Sequence, residues 1–428
     1  MSSYLRGFLA AIALFGVLAA PLYADNYEQY CDIKGFAAAT RQTIVVLDER
    51  QVTPENGDRN DERNGPWRRF VGRLVDFQSA AQLEQRFQPR ERLTLVLARK
   101  DGTGVTAIFT GCLPFFSQAE QRRAAGEGGV TTYLKKYFGF GEVASAKHDS
   151  DVFISRLGES IREAIQPDAL SARGTHMAGN FASSGLIASL KQSPFVDLNR
   201  GLPRIILLSN LPPYFGDLGS DLVQARSTGK KLAEDAALNL RGSEIYVVGS
   251  TTTEKPYFRD AVEMFFLVSH ASLISMGSFA SVPDFLPPPT AIRRYQGLIQ
   301  FPDRQYPIRI RLATDQNGTL VNSWLSVETS KEEFVPVHGT ITCQADGCRF
   351  SGDNTFAQVW NPKHSGGRDP VFDPEYPFGG ARILEFSTRD DYIRGDISDP
   401  HIKYQNLQRN DSKTNKLHFF ANYSAGMF

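Results

Sequence analysis

The chain has no excess of charge of one sign: 47 Lys and Arg balance 47 Asp and Glu. That excludes the broad basic field that gathers nucleic acid or an anionic membrane surface. Cysteine is scarce, with four residues and no Cys-x-x-Cys, so a thioredoxin-like redox pair is excluded. Cys343 and Cys348 also lack the paired Cys or His partners of a zinc site of known spacing. No Gly-x-Ser-x-Gly elbow surrounds Ser209, which removes the usual nucleophile turn of an α/β hydrolase. The Gly229-Lys230 pair has no glycine five positions earlier, so a phosphate loop is excluded as well. His148, His270, His338, His364, His401 and His418 are scattered without ligand spacing.

Against these absences stands a marked N-terminus. Arg6 precedes an apolar run from Phe8 to Ala20, followed by Pro21-Leu22-Tyr23-Ala24. A charged start, an apolar stretch too short to span a bilayer and a small residue at the cut point are the parts of an export signal. The reading is a leader over 1–24, a mature chain from near Asp25, and a periplasmic or secreted location. Leu22 stands where a small residue is preferred, which leaves an uncleaved anchor as the alternative. Export makes disulfides permissible, and the positions suggest Cys31 with Cys112 and Cys343 with Cys348, one of three pairings open to four cysteines.

Past the leader, unbroken apolar runs alternate with helical patterns. Thr43-Ile44-Val45-Val46-Leu47-Asp48 ends in a carboxylate and reads as a buried parallel strand. A polar stretch from Gln51 to Pro66 leads into an amphipathic helix over Trp67 to Phe87. Arg92 to Ala98 and Val105 to Thr110 read as a hairpin around Lys100-Asp101-Gly102-Thr103-Gly104. Gln118 to Gly129 reads as a mobile insertion, and helices are expected over Asp151 to Ile165 and Met177 to Leu190. Pro203 to Ser209 and Glu244 to Gly249 are further buried strands, with helices over Asp221 to Leu240 and Tyr257 to Leu273. The alternation predicts an α/β doubly wound, mostly parallel sheet over residues 25–282.

Four prolines between Pro283 and Pro289 mark residues 283–290 as a linker. Beyond it the period changes to two. Short strands are expected at Tyr295 to Phe301, Ile308 to Ala313, Leu320 to Val327, Pro336 to Cys343, Phe356 to Trp360, Ala381 to Ser387 and Tyr392 to Ile397. Residues 291–428 thus read as an antiparallel β-sandwich or small barrel. A terminal Phe428 raises an outer-membrane barrel, against which stand the irregular strand spacing and the preceding α/β part. The polar stretch from Gln405 to Thr414 reads as disordered.

The order of parts over residues 40–280 resembles a von Willebrand factor A-type domain. The resemblance rests on the Asp-ended first strand, the long helix, the hairpin, Gly174-Thr175 at a helix start, and the strands Ile205 to Asn210 and Ile245 to Gly249. It implies protein binding, and a divalent cation at the C-terminal edge of the sheet held by an Asp-x-Ser-x-Ser turn, a Thr and a strand-ending Asp. Asp48 and Thr175 match. Arg50 and Val52 stand at the two Ser positions and Asn210 at the second Asp, so most of an oxygen cage for Mg²⁺ is missing. Either a weak cation site survives, or the Arg50 guanidinium takes the cation's place and pairs with Asp48.

Loops at the carboxyl edge of an open α/β sheet are where ligands bind, so Asp48, Glu49, Arg50, Thr175, His176, Asn210 and Asp217 are the candidate partner-binding residues, with Asp221 nearby. The plain alternative is that these acids cap loops and helix starts. Ser209, His176 and Asp48 form the one conceivable hydrolytic trio. In the β part Trp324, Phe356, Trp360, Tyr376 and Phe378 suggest either a sugar or peptide surface or an ordinary core. The reading is an exported, non-catalytic protein-binding scaffold of the cell envelope with no nucleic-acid partner and no cofactor. A hydrolase with a site between the two parts and carbohydrate binding by the β part are the alternatives.

Overall fold

The computed structural model describes residues 28–52, 65–74, 80–99, 105–126, 142–164, 185–191, 201–250, 257–300, 304–328, 332–344, 347–355, 358–359, 371–372, 381–388, 392–398 and 416–424. The first sheet comprises β1 (Arg41–Asp48), β2 (Arg92–Ala98), β3 (Val105–Cys112), β4 (Leu202–Leu208), β5 (Ser243–Val248) and β6 (Ala271–Gly277). Its order is β3-β2-β1-β4-β5-β6, parallel throughout except for the antiparallel edge pair β2–β3. The described helices are α1 (Glu49–Val52), α2 (Pro66–Leu74), α3 (Ala80–Arg86), α4 (Gln118–Gly126), α5 (Glu142–Ala164), α6 (Gly185–Lys191), α7 (Pro212–Phe215), α8 (Leu222–Ala236) and α9 (Phe258–Val268).

Every residue of β1 is buried, because successive side chains enter different layers. Ile44 and Val46 pack with Ile187 of α6, Ala225 of α8 and Phe265 of α9. Val45 and Leu47 pack with Phe70 of α2, Leu83 of α3 and Phe153 of α5. Each such aliphatic side chain contributes about 1.5–3 kcal/mol by leaving water, which is why the run needs no polar alternation.

The structure corrects two assignments in this half. Residues 118–126 form α4 rather than a mobile insertion. Ser117 Oγ accepts from Glu120 N at 3.2 Å while Glu120 Oε2 accepts from Ser117 N at 2.8 Å, a reciprocal Ser-x-x-Glu cap that starts the helix. The helix expected over Tyr257 to Leu273 stops at Val268, and Ala271–Gly277 becomes β6. An apolar run has no period that separates buried helix from buried strand, and here the open edge of β5 takes the segment as its partner.

The second part comprises β7 (Ala291–Gln300), β8 (Gln305–Thr314), β9 (Ser323–Glu328), β10 (Glu332–Gln344), β11 (Gly347–Thr355), the short pair β12 (Gln358–Val359) and β13 (Val371–Phe372), then β14 (Ala381–Thr388), β15 (Tyr392–Ser398) and β16 (Lys416–Tyr423). Antiparallel pairing runs β7-β8-β9-β10-β11-β14-β15-β16 and returns from β16 to β7. It is a closed barrel, not a sandwich. Closure depends on β11 and β16, which the sequence reading did not assign. Tyr295, Ile299, Ile308, Ile310, Leu325 and Phe419 fill the interior. Gln296, Gln300, His418 and Asn422 face out beside Leu298 and Phe420, and the interior is packed with apolar side chains where a lipid-facing barrel has a polar lumen. Among the described residues no helix is long and apolar enough to cross a membrane.

Cys31 and Cys112 form a disulfide that ties the N-terminal turn to the end of β3. Cys343 stands directly opposite Cys348 in the β10–β11 register; their side chains lie outside the described set. The barrel docks on the N-terminal edge of the sheet. Leu202 at the start of β4 packs with Ala313, Val321 and Ile292, and Arg311 donates to the carbonyls of Gly242 at 3.3 Å and Asn322 at 3.1 Å. Gly242 has φ +73°, and a Cβ there would lie 2.4 Å from the Trp324 ring, so the close approach of barrel and sheet requires glycine.

Candidate functional site

β1 delivers Asp48 to the C-terminal edge of the sheet, opposite the edge that carries the barrel. Its side chain is buried and fully engaged. Oδ2 accepts from the hydroxyls of Ser209 at 2.7 Å and Tyr214 at 2.6 Å, and Oδ1 accepts from the backbone N–H of Arg50 at 3.0 Å. Burial pushes the Asp48 carboxyl above the ordinary aspartate range, opposed by the Tyr214 and Ser209 hydrogen bonds and by Arg50. Burial and the adjoining carboxylate likewise hold the Tyr214 phenol above its ordinary range, so it stays protonated and donates. Ser250 completes the lock: its hydroxyl donates to Ser209 O at 2.9 Å and accepts from Leu211 N at 2.8 Å. These bonds fix the turn between β4 and α7, where Pro212 begins the helix and aims Tyr214 at Asp48.

Arg50 does not pair with Asp48 as the sequence suggested. Its guanidinium lies over the Tyr214 ring, 4.8 Å from the centroid, while its backbone serves the carboxylate. Glu49 is buried within α1 and pairs with Arg99 at 3.9 Å. The side-chain oxygen of Asn210 is buried without a hydrogen bond. Asp217 is exposed and accepts from Gly219 N at 2.9 Å within its own loop, and Asp221 caps α8 by accepting from Gln224 N at 2.8 Å. For those two acids the capping interpretation describes what is seen. Thr175 and His176 lie outside the described residues.

The structure therefore gathers Asp48, Arg50, Ser209 and Tyr214. Tyr214 was missed, since its role depends on the turn after β4 and not on any spacing from Asp48. These donors do not fit a hard cation: a tyrosine hydroxyl, a serine hydroxyl and an N–H already occupy the carboxylate. Among the described residues no three His, Cys, Asp or Glu side chains converge on a metal position. Ser209 is fully buried with its hydroxyl committed to Asp48, an arrangement without an accessible nucleophile. Between sheet and barrel a cavity of about 10 Å³ lies beside Gly242, His270 and Trp324. Burial pushes His270 down to about 4, so it is neutral there. Trp324 is itself buried in this joint, and so is not a sugar surface; Phe356, Trp360, Tyr376 and Phe378 lie outside the described residues.

A second polar cluster sits at the N-terminal edge, and no sequence pattern pointed to it. Glu91, wholly buried, accepts from Arg204 Nη2 at 3.1 Å, from Arg41 Nη2 at 3.2 Å and from Gln88 N at 2.8 Å, and is also bonded by Thr43. Glu244 is buried beside it with Oε2 unbonded. Burial pushes its carboxyl up to about 7, against the pull of Arg41, Arg204 and Arg311 and with the push of Glu91. A raised folded-state pKa means stability that is complete below the unfolded value near 4.5 and lost as pH rises through about 7. Glu244→Gln is accordingly expected to melt like wild type at pH 5 and to be more stable at pH 8, by up to roughly 3 kcal/mol. A melting difference that does not widen between those two pH values would contradict this placement.

The chain matches no family model, and no curated protein matches it.

Proposed function

We propose that the chain is an exported, non-catalytic protein-binding scaffold whose first part is a von Willebrand factor A-like domain working without a cation. The observation that carries this reading is Asp48, in the place of the family's first cation ligand, with both oxygens satisfied by Tyr214, Ser209 and the Arg50 backbone. The strand order with one antiparallel edge, and helices on both faces, support the family likeness. Arg50 over Tyr214, and the exposed loop bearing Pro213, Asp217 and Ser220, supply an accessible rim of mixed charge at the sheet's C-terminal edge. The partner is a protein of the envelope or the extracellular space.

Calorimetric titration with Mg²⁺, Mn²⁺ and Ca²⁺ is expected to give no binding heat; a heat present in wild type and lost in Asp48→Ala would reverse the cation-free reading. Arg50→Glu combined with Asp217→Lys is expected to abolish partner capture from envelope extracts while the variant still melts in one cooperative transition. Equal capture by wild type and variant would remove this edge as the partner surface. Tyr214→Phe is expected to cost about 1–3 kcal/mol, because it strips a donor from a buried carboxylate, and urea unfolding measures it.

A further inference from the structure

α2 and α5 lie on the same face of the sheet, where Phe70 and Leu74 of one and Phe153 of the other enter its core. Between the two helices lies a cavity of about 250 Å³. Trp67 and Val71 of α2 form one wall, and Ile154, Leu157 and Ile161 of α5 form the other. A glycine stands in each wall, Gly72 and Gly158. Neither has a positive φ, and at neither would an added Cβ come within 4 Å of another atom. Glycine inside a helix is costly relative to alanine, and nothing in the backbone or packing of this chain requires it at these two places. What the pair does is keep the groove open. Arg162 lines the end of the groove in the last turn of α5, and it has no ion-pair partner among the described residues. The acid a turn earlier, Glu159, is taken by Arg156 at 3.2 Å.

We propose that this groove binds an aliphatic carboxylate, the acyl chain lying between α2 and α5 and the carboxylate held by Arg162. Ile154, Leu157, Gly158, Ile161 and Arg162 follow one another at helical spacing on one stripe of α5, so the groove runs about 12 Å along the helix. An elongated slot with aliphatic walls on both sides suits a chain. No acidic side chain lines it, so the guanidinium at its end is complementary to an anion and can take a carboxylate in bidentate geometry. A peptide segment fits less well, because apart from Trp67 and Arg162 no lining side chain can hydrogen-bond, and its backbone N–H and C=O groups would be buried without partners. A neutral hydrocarbon would leave Arg162 unmatched.

Calorimetric titration of the full mature chain with octanoate, decanoate and dodecanoate, each below its micelle concentration, is the test. Binding is expected with a micromolar Kd at the best length, the affinity rising by up to about fourfold per added CH₂. Gly158→Leu puts a side chain into the groove and should weaken binding tenfold or more. Its melting temperature should be no lower than wild type, because leucine is the better helix former and a Cβ there is unopposed. Arg162→Gln should erase the preference for decanoate over decanol and leave decanol binding unchanged, which loss of a merely structural arginine would not do. Absence of binding by all three acids, binding that Gly158→Leu leaves intact, or equal affinity of the wild type for decanoate and decanol would overturn the proposal. The groove shares no residue with the Asp48 edge, so the failure of either reading leaves the other standing.

Discussion

Glu91→Gln is expected to destabilise the protein by about 3–5 kcal/mol, the cost of leaving buried charge without its counter-ion. Arg41 and Arg204 are 2% and 0% exposed, and Glu91 is the carboxylate that both of them reach. The surroundings leave little room for relief. Arg204 is held between the Phe87 and Phe285 rings, 5.1 and 4.2 Å from their centroids, and Arg41 donates to Leu286 O at 2.8 Å. The glutamine amide keeps the shape but removes the charge, so neither guanidinium can return to water without opening the strap of residues 285–289. Replacing Arg41 and Arg204 by methionine in the Glu91→Gln background should recover much of the loss, because buried ion clusters exchanged whole for apolar groups are often neutral. Urea unfolding measures both. A loss below about 1 kcal/mol in the single variant would mean that the cluster is hydrated.

The same residue gives the protein an acid limit. Burial disfavours the Glu91 carboxylate, but Arg41 and Arg204 together with the Thr43 and Gln88 bonds outweigh it and hold the carboxyl below the usual glutamate range. A lowered folded-state pKa contributes stability that is present above the unfolded value near 4.5 and lost as pH falls through the folded one. Glu244, under the influence of the same arginine charges, runs the other way. The wild-type melting temperature should therefore fall in acid, and Glu91→Gln should flatten that limb.

Cys31→Ser with Cys112→Ser is expected to be the other severe change. The bond closes a separation of 81 residues, which on the chain-entropy model is worth roughly 4.5 kcal/mol through the unfolded state. The disulfide also pins Tyr30 and the N-terminal turn to the end of β3, in a small cluster with few other apolar contacts. Unfolding in the presence of dithiothreitol should approach that of the double variant. Equal urea midpoints for wild type and variant under oxidising conditions would show that the bridge contributes nothing.

Much of the fold was legible because it depends on local pattern. The runs around Val45, Ile206 and Val247 cannot avoid burial on two faces, so they announce parallel strands without knowledge of their neighbours. The period-two segments after Pro289 likewise announced antiparallel pairing. Legibility ended where one segment's state is set by another. Ala271–Gly277 reads as helix until the open edge of β5 is known, and the barrel closes only because Lys416–Tyr423 returns to β7. The capping pair at Ser117 and Glu120 is written in the sequence, inside a charged, glycine-bearing stretch that hides it.

The site divides in the same way. Asp48 at the end of a buried strand follows from residue order alone, since it rests on a short apolar run and the residue that ends it, whereas Cys31–Cys112, 81 residues apart, was one of the three pairings that four cysteines allow. Tertiary structure alone decided that Tyr214 and Ser209 close on Asp48 from 166 and 161 residues away, and that Arg41, Glu91 and Arg204 meet in one buried cluster. Such groupings have no local signature, because the bonds that make them favourable exist only once the strands have been laid side by side and water has been excluded from between them.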